Sequence, residues 1–210
     1  MDTLRIGVFG SALWAALAVS GMIWRARAYG RRIYFARQAA SPARGVLYAF
    51  TAGMAPGAKE SVKLHLPTYA AGMTYHAGIF AALAFLAALL AQLSLPSPLL
   101  WAFRAALALG TSAGLFLLAK RVTTPHLRGI SCPDDYASNV LVTAFAATSA
   151  LCSWGAVPEK IVFASALVFF VYVPFGKIRH CAFFFMTRIC FGIFYGRRGA
   201  LPPPASEAHG

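Results

Sequence analysis

Of the chain's 210 residues, 59% are hydrophobic and only 12% charged, with a mean hydropathy of +0.64. A water-soluble domain of this length needs a wetter surface, so the composition is that of a membrane protein. Nineteen Lys and Arg against six acids give a formal charge of +13. The cations lie between apolar runs long enough to span a bilayer, and this placement argues against a nucleic-acid partner.

In chain order, the first apolar run covers 6–23 and is followed at once by Trp24, Arg25, Arg27, Arg31 and Arg32. Its leading segment carries only Asp2 and Arg5, too little charge for a signal peptide, so it is expected to be the first transmembrane helix. Residues 24–72 form a basic segment broken by Ser41-Pro42, Gly53 and Pro56-Gly57. Short helices and loops against lipid headgroups are predicted there. The second span is placed at 74–93 and the third at 99–118, joined by a turn too short for anything but an antiparallel return. Arg104 is near enough to the end of the third span to snorkel. Gly110 and Gly114 form a small-x-x-x-small pair suited to close helix approach. A polar loop then leads to a fourth span at 137–154 and a fifth at 160–176. An amphipathic tail to Arg198 and a Pro-rich end at 199–210 complete the chain.

The fold class is therefore all-α: one integral membrane domain over 1–198, a five-helix transmembrane bundle. Segments 24–72, 119–139 and 177–210 hold eight, three and five Lys/Arg, together 16 of the 19. The positive-inside rule puts these segments in the cytoplasm, the N-terminus outside and the C-terminus inside. A multi-pass protein of the cell's inner (cytoplasmic) membrane is expected.

Four cysteines without a C-x-x-C pair exclude a c-type haem attachment and an iron–sulfur cluster held by this chain alone. No nucleotide fingerprint or nucleophile triad is present, so no catalytic residue is assigned and substrate chemistry falls to a partner. Five histidines remain. His65, His126 and His209 fall in loops or the tail, whereas His76 and His180 stand at the membrane ends of the second and fifth spans, at the same depth. Two readings follow. Either they are interfacial polar residues beside basic anchors, or they are the two axial ligands of a b-type haem held between helices. Gly72, Gly78 and Gly176 could admit the macrocycle, and Arg128, Lys177 and Arg179 could pair with its propionates. Equally, glycines loosen helix ends and cations anchor them.

Val173-Pro-Phe-Gly-Lys-Ile-Arg-His180 resembles the fifth-helix motif Pro-Phe-Ser/Thr-Arg-Leu-x-His of nitrate reductase gamma-type cytochromes b. That group includes the membrane subunits of heterodisulfide reductase and of DsrMK-type sulfur-metabolism complexes. Leu127-Arg-Gly-Ile-Ser-Cys-Pro-Asp-Asp-Tyr-Ala-Ser138 is similar to the loop before the family's fourth helix, and Tyr75-His-Ala-Gly-Ile79 to the start of its second. The resemblance covers roughly residues 70 to 195. It implies haem b, ligated by His76 and His180, and electron exchange between menaquinone or ubiquinone and a cytoplasmic iron–sulfur oxidoreductase subunit. Two-haem members carry further histidines where this chain has Leu86 and Val162. One haem is therefore expected, on the cytoplasmic side, with quinone nearby. Asp135, Tyr136, Lys63 and Tyr172 are the candidates for hydrogen bonding the quinone. A haem-free membrane anchor of such a complex is the alternative. A transporter is disfavoured, because the spans carry almost no ionisable groups.

Overall fold

Runs of apolar residues interrupted by proline, glycine and charge set the helix boundaries throughout the chain. The structure, a computed structural model, describes residues 3–29, 34–58, 62 and 64–201. Among these, helices are α1 (Thr3–Ala28), α2 (Pro42–Phe50), α3 (Leu66–Leu90), α4 (Ser97–Thr123), α5 (Pro125–Gly129), α6 (Pro133–Ser153), α7 (Glu159–Tyr172) and α8 (His180–Arg197). Short 3-10 turns at Ala52–Met54, Pro56–Ala58 and Lys177–Arg179 punctuate them, and the described residues include no strand. The chain divides into two compact units. The first comprises Met1–Ser20 and Pro67–Arg179, the second Gly21–Leu66 and His180–Gly210.

Among the described residues, five helices are long and apolar enough to cross a membrane: α1, α3, α4, α6, and Lys177–Arg197, which is α8 with its 3-10 lead-in. A multi-pass membrane protein fits these lengths. The fifth member differs from the expected span at 160–176. That stretch contains α7, only 14 residues, or about 21 Å against a hydrocarbon core of about 30 Å. Pro174 stops it, because proline has no N–H to continue the ladder. The N–H groups of Phe175 and Gly176 both turn back to the Tyr172 carbonyl, at 3.0 and 3.2 Å. The expected amphipathic tail is instead an apolar helix of 18 residues.

In the first unit, neighbouring helices alternate in direction. α3 and α4 run antiparallel, with Gly78 against Gly110 and Phe85 against Phe103 (5.8 Å between rings). A Cβ on Gly110 would lie 2.5 Å from the Gly78 Cα, so only glycine permits this approach. α6 returns along α4, which puts Gly114 against Thr143 and lets Arg104 donate to the Ser153 carbonyl at 3.0 Å. α7 then returns along α6 through the Phe145–Phe169 stack (5.2 Å) and the Thr148–Ser165 hydroxyl pair (2.8 Å). Arg5 bonds Glu159 at 3.3 Å, and Trp14 meets Phe175. The first part of α1 is therefore parallel to α7, and its start lies at the opposite end of the unit from the exit of α7. Phe145, Phe163, Leu107, Val8 and Val162 form the buried core. Within it, the Tyr75 hydroxyl satisfies itself by donating to the Asn139 carbonyl (3.1 Å) and pairing with the Thr143 hydroxyl (2.8 Å).

The second unit packs by a different rule. Pro42 opens α2 behind the Ser41 cap. Gly45 then presses directly on Gly192 and Gly196 of α8, leaving no space for a side chain. A Cβ at Gly192 would come within 2.6 Å of the Val46 nitrogen, and one at Gly196 within 2.8 Å of the Gly45 Cα. Phe50 lies against both Phe184 and Phe185. The end of α8 is held by Ala39 and Ala40, whose N–H groups donate to the Arg197 carbonyl at 2.7 and 3.2 Å.

Candidate functional site

The densest polar cluster of the first unit surrounds the start of α6. Cys132 precedes Pro133, which opens the helix, and a capping box forms: the Asp135 carboxylate accepts the Cys132 N–H at 2.9 Å. Asp134 and Asp135 occupy the first turn, where the partial positive charge of the helix terminus favours carboxylates. The end of α7 returns to this point. Asp134 accepts the Tyr172 hydroxyl, the Lys177 backbone N–H (2.8 Å) and the Ser138 hydroxyl (3.3 Å). Asp135 holds the Lys177 ammonium at 2.7 Å, with the Arg121 guanidinium at 3.8 Å on the same oxygen. Arg121 also donates to Ser131 at 2.7 Å. Gly176 lies beneath this arrangement, because a Cβ there would meet the Tyr172 ring and the Asp134 carboxylate.

Two of the four quinone candidates, Asp135 and Tyr172, thus come together, although their polar atoms serve the cap and the return of α7. Tyr136 follows them on α6, half-buried. Lys63 lies outside the described residues.

His76 stands on α3, exposed at the surface of the first unit, next to the buried Tyr75. Its Nδ1 is 2.7 Å from the Gly72 carbonyl one turn earlier. A carbonyl only accepts, so the proton is on Nδ1 and the lone pair of the neutral ring on Nε2. Metal-ligating histidines are commonly oriented by such a second hydrogen bond. In this respect His76 fits an axial ligand of haem. His180 is the first residue of α8 and opens the second unit, also with an exposed side chain. It follows directly on the 3-10 turn Lys177–Arg179, whose Ile178 is buried.

The other expected haem neighbours divide. Arg128 on α5 and Arg179 are exposed, whereas the Lys177 ammonium is engaged by Asp135. Gly78 is used by the contact with Gly110, so its missing side chain serves helix packing. Gly72 faces open space. Leu86 and Val162 lie in the apolar core, 3% and 0% exposed.

Sequence reading overlooked Asp134, the acceptor that gathers Tyr172, Lys177 and Ser138. Its local signal, an acidic first turn after Cys-Pro, was legible; its partners 38 and 43 residues away were not. The opposite end of the unit carries a second arrangement that the sequence did not point to. Arg104 lies over Trp101 (5.0 Å) and Trp154 (4.4 Å), rings that themselves meet edge to face. Such a cation–aromatic group suits an interfacial anchor. No family model, curated protein or solved structure matches the chain.

Proposed function

We propose that the chain is the membrane electron-transfer subunit of a quinone-linked oxidoreductase, carrying one b haem held by His76 and His180. The observation that carries this reading is His76, ten residues into a long apolar helix, with its Nδ1 2.7 Å from the Gly72 carbonyl. The histidine-bearing motif after α7 and the five long apolar helices support it. When bound, the haem supplies a one-electron iron couple. His76 and His180 are the residues that would hold its iron. Propionate pairing falls to Arg128 and Arg179, since Lys177 already neutralises Asp135. Quinone is assigned to the Asp134 end of the first unit, with Tyr136 as its hydrogen-bond donor.

The Lys and Arg gathered at this end (Lys120, Arg121, Arg128, Lys177 and Arg179) support, by the positive-inside rule, a cytoplasmic position for it in a protein of the inner membrane, with an iron–sulfur subunit as the partner that docks there. Electron exchange and quinone proton exchange then occur on one side, with little charge separation. The test is anaerobic addition of ubiquinol or menaquinol to the purified complex in lipid nanodiscs. A b-type spectrum that becomes reduced on quinol addition is expected, and is lost in His76→Ala. Absence of haem absorbance in the wild type overturns the reading in favour of a haem-free anchor.

A further inference from the structure

We propose that Arg104, with Trp101 and Trp154 beside it, forms a binding site for the phosphate of an anionic phospholipid. This site requires only that α4 and α6 span the bilayer, and it stands whether or not the chain carries haem. All of its residues belong to the first unit: Trp101 and Arg104 on α4, Ser153 and Trp154 at the end of α6. α6 closes in a Schellman motif. The Gly155 N–H, at a residue with φ of 73°, bonds the Cys152 carbonyl at 2.9 Å, and the Ala156 N–H bonds that of Leu151 at 2.9 Å. The Ser153 carbonyl is next in line, and the Arg104 Nε–H takes it at 3.0 Å. That bond completes the cap and orients the guanidinium. The rings of Trp154 and Trp101 lie against it at 4.4 and 5.0 Å, and meet each other edge to face at 5.3 Å.

The two terminal nitrogens of Arg104 have no acceptor among the described residues. The described carboxylates are engaged elsewhere: Asp134 and Asp135 at the opposite end of the unit, and Glu159 with Arg5. This cation is oriented by the fold but not neutralised by these residues. Its depth identifies the counter-anion. Arg104 stands seven residues along α4 from Ser97, about 11 Å by helix rise. α4 has 27 residues, about 40 Å, and overhangs a centred hydrocarbon core of about 30 Å by about 5 Å at each end. The Arg104 backbone therefore lies just inside the core. Its side chain, tilted toward the helix N-terminus, reaches back to the headgroups. The anion abundant at that level is the lipid phosphate, to which a guanidinium offers two parallel N–H donors. Trp101 and Trp154, 57% and 54% exposed, suit the same level. A headgroup with its own ammonium is disfavoured, because Arg104 already lies over both rings and repels a second cation. A phosphatidylglycerol-type headgroup fits.

The test titrates the delipidated full chain by native mass spectrometry with phosphatidylglycerol, phosphatidylcholine of matched chains, and inorganic phosphate. One phosphatidylglycerol is expected to bind most tightly. Arg104→Gln is expected to weaken it about tenfold, the size of one lost charge-assisted hydrogen bond. Arg104→Lys, which keeps the charge but not the planar fork, falls between. Lys160→Gln removes an exposed cation from the same end of the unit and leaves this first site unchanged. Arg104→Gln also removes the cap of α6, so a second readout leaves Arg104 in place. In nanodiscs, phosphatidylglycerol with brominated chains is expected to quench tryptophan fluorescence more than brominated phosphatidylcholine at equal mole fraction. The excess is lost when Trp101→Phe and Trp154→Phe are combined. Equal binding and equal quenching by the two lipids overturn the proposal, as does equal weakening by Arg104→Gln and Lys160→Gln. Displacement of the lipid by inorganic phosphate overturns it in favour of a site for free anions.

Discussion

The two units of this chain both use glycine contacts but differ in what accompanies them. In the first, the Gly78–Gly110 approach is one contact among several made by large side chains: Phe145 stacks on Phe169, and Phe163 and Leu107 are fully buried. In the second, α2 meets α8 where side chains are missing, at Gly45, Gly192 and Gly196. Apolar volume is not what decides the second contact, since α8 leaves Phe185, Ile189, Phe191 and Tyr195 at its surface. Three of its arginines lie over aromatic rings. Arg197 lies over Tyr34, Arg198 over Phe194, and Arg188 over Phe184 with a hydrogen bond to the Met54 sulfur. In the first unit Arg5 and Arg104 also lie over rings, and Arg5, Arg121 and Lys177 have carboxylate partners as well. The comparison teaches that length and apolarity identify the helices, while the partner chemistry of each unit has to be read from its packing.

Substitutions can break this contrast. The largest expected effect is Phe145→Ala, which opens a cavity beside Phe169 in the first unit and costs about 3–5 kcal/mol by thermal or denaturant unfolding in detergent. Gly45→Leu comes next. Its side chain collides with the backbone of α8 and costs about 1–3 kcal/mol. Hydrogen exchange locates the damage: protection should fall on α2 and α8 and persist on α6. Loss of protection spread equally over α6 would show that the contrast is false. Tyr75→Phe deletes a buried hydroxyl between Asn139 and Thr143. Thr143 retains the Asn139 side chain at 3.2 Å, so the expected loss is about 1 kcal/mol. The smallest change is Gly10→Ala. A Cβ there meets nothing within 4 Å, so α1 gains roughly 0.5–1 kcal/mol from helix propensity alone. The same exchange at Gly110, which faces Gly78, has the opposite sign.

The all-helical membrane character was legible because apolar runs and their charged ends are local signals. Where α7 stops was also written in Pro174 and Gly176, yet a continuous apolar stretch from 161 to 175 outweighed them. α8 was read as an amphipathic tail, and Thr187 and Arg188 are the polar residues that interrupt its apolar run. The glycine contact had a visible token, Gly192-Ile-Phe-Tyr-Gly196, but a small-x-x-x-small pair does not name its partner. Gly45 lies almost 150 positions away. Similarly, Gly78 was read as room for a macrocycle, although the space it leaves is taken by Gly110. His76 and His180 were picked out by type and by position at the ends of expected spans; His180 does open α8, whereas α3 starts at Leu66 and leaves His76 ten residues inside it. The bond that commits the His76 proton depends on the turn of α3 that brings the Gly72 carbonyl to Nδ1.

The most direct measurement is haem per chain, by pyridine haemochrome absorbance of the purified complex, for the wild type, His76→Ala and His180→Ala. Haem in other subunits is counted separately. One b haem per copy of this chain, absent from both variants, is the predicted result. Zero in the wild type, or an unchanged count in both variants, contradicts the account.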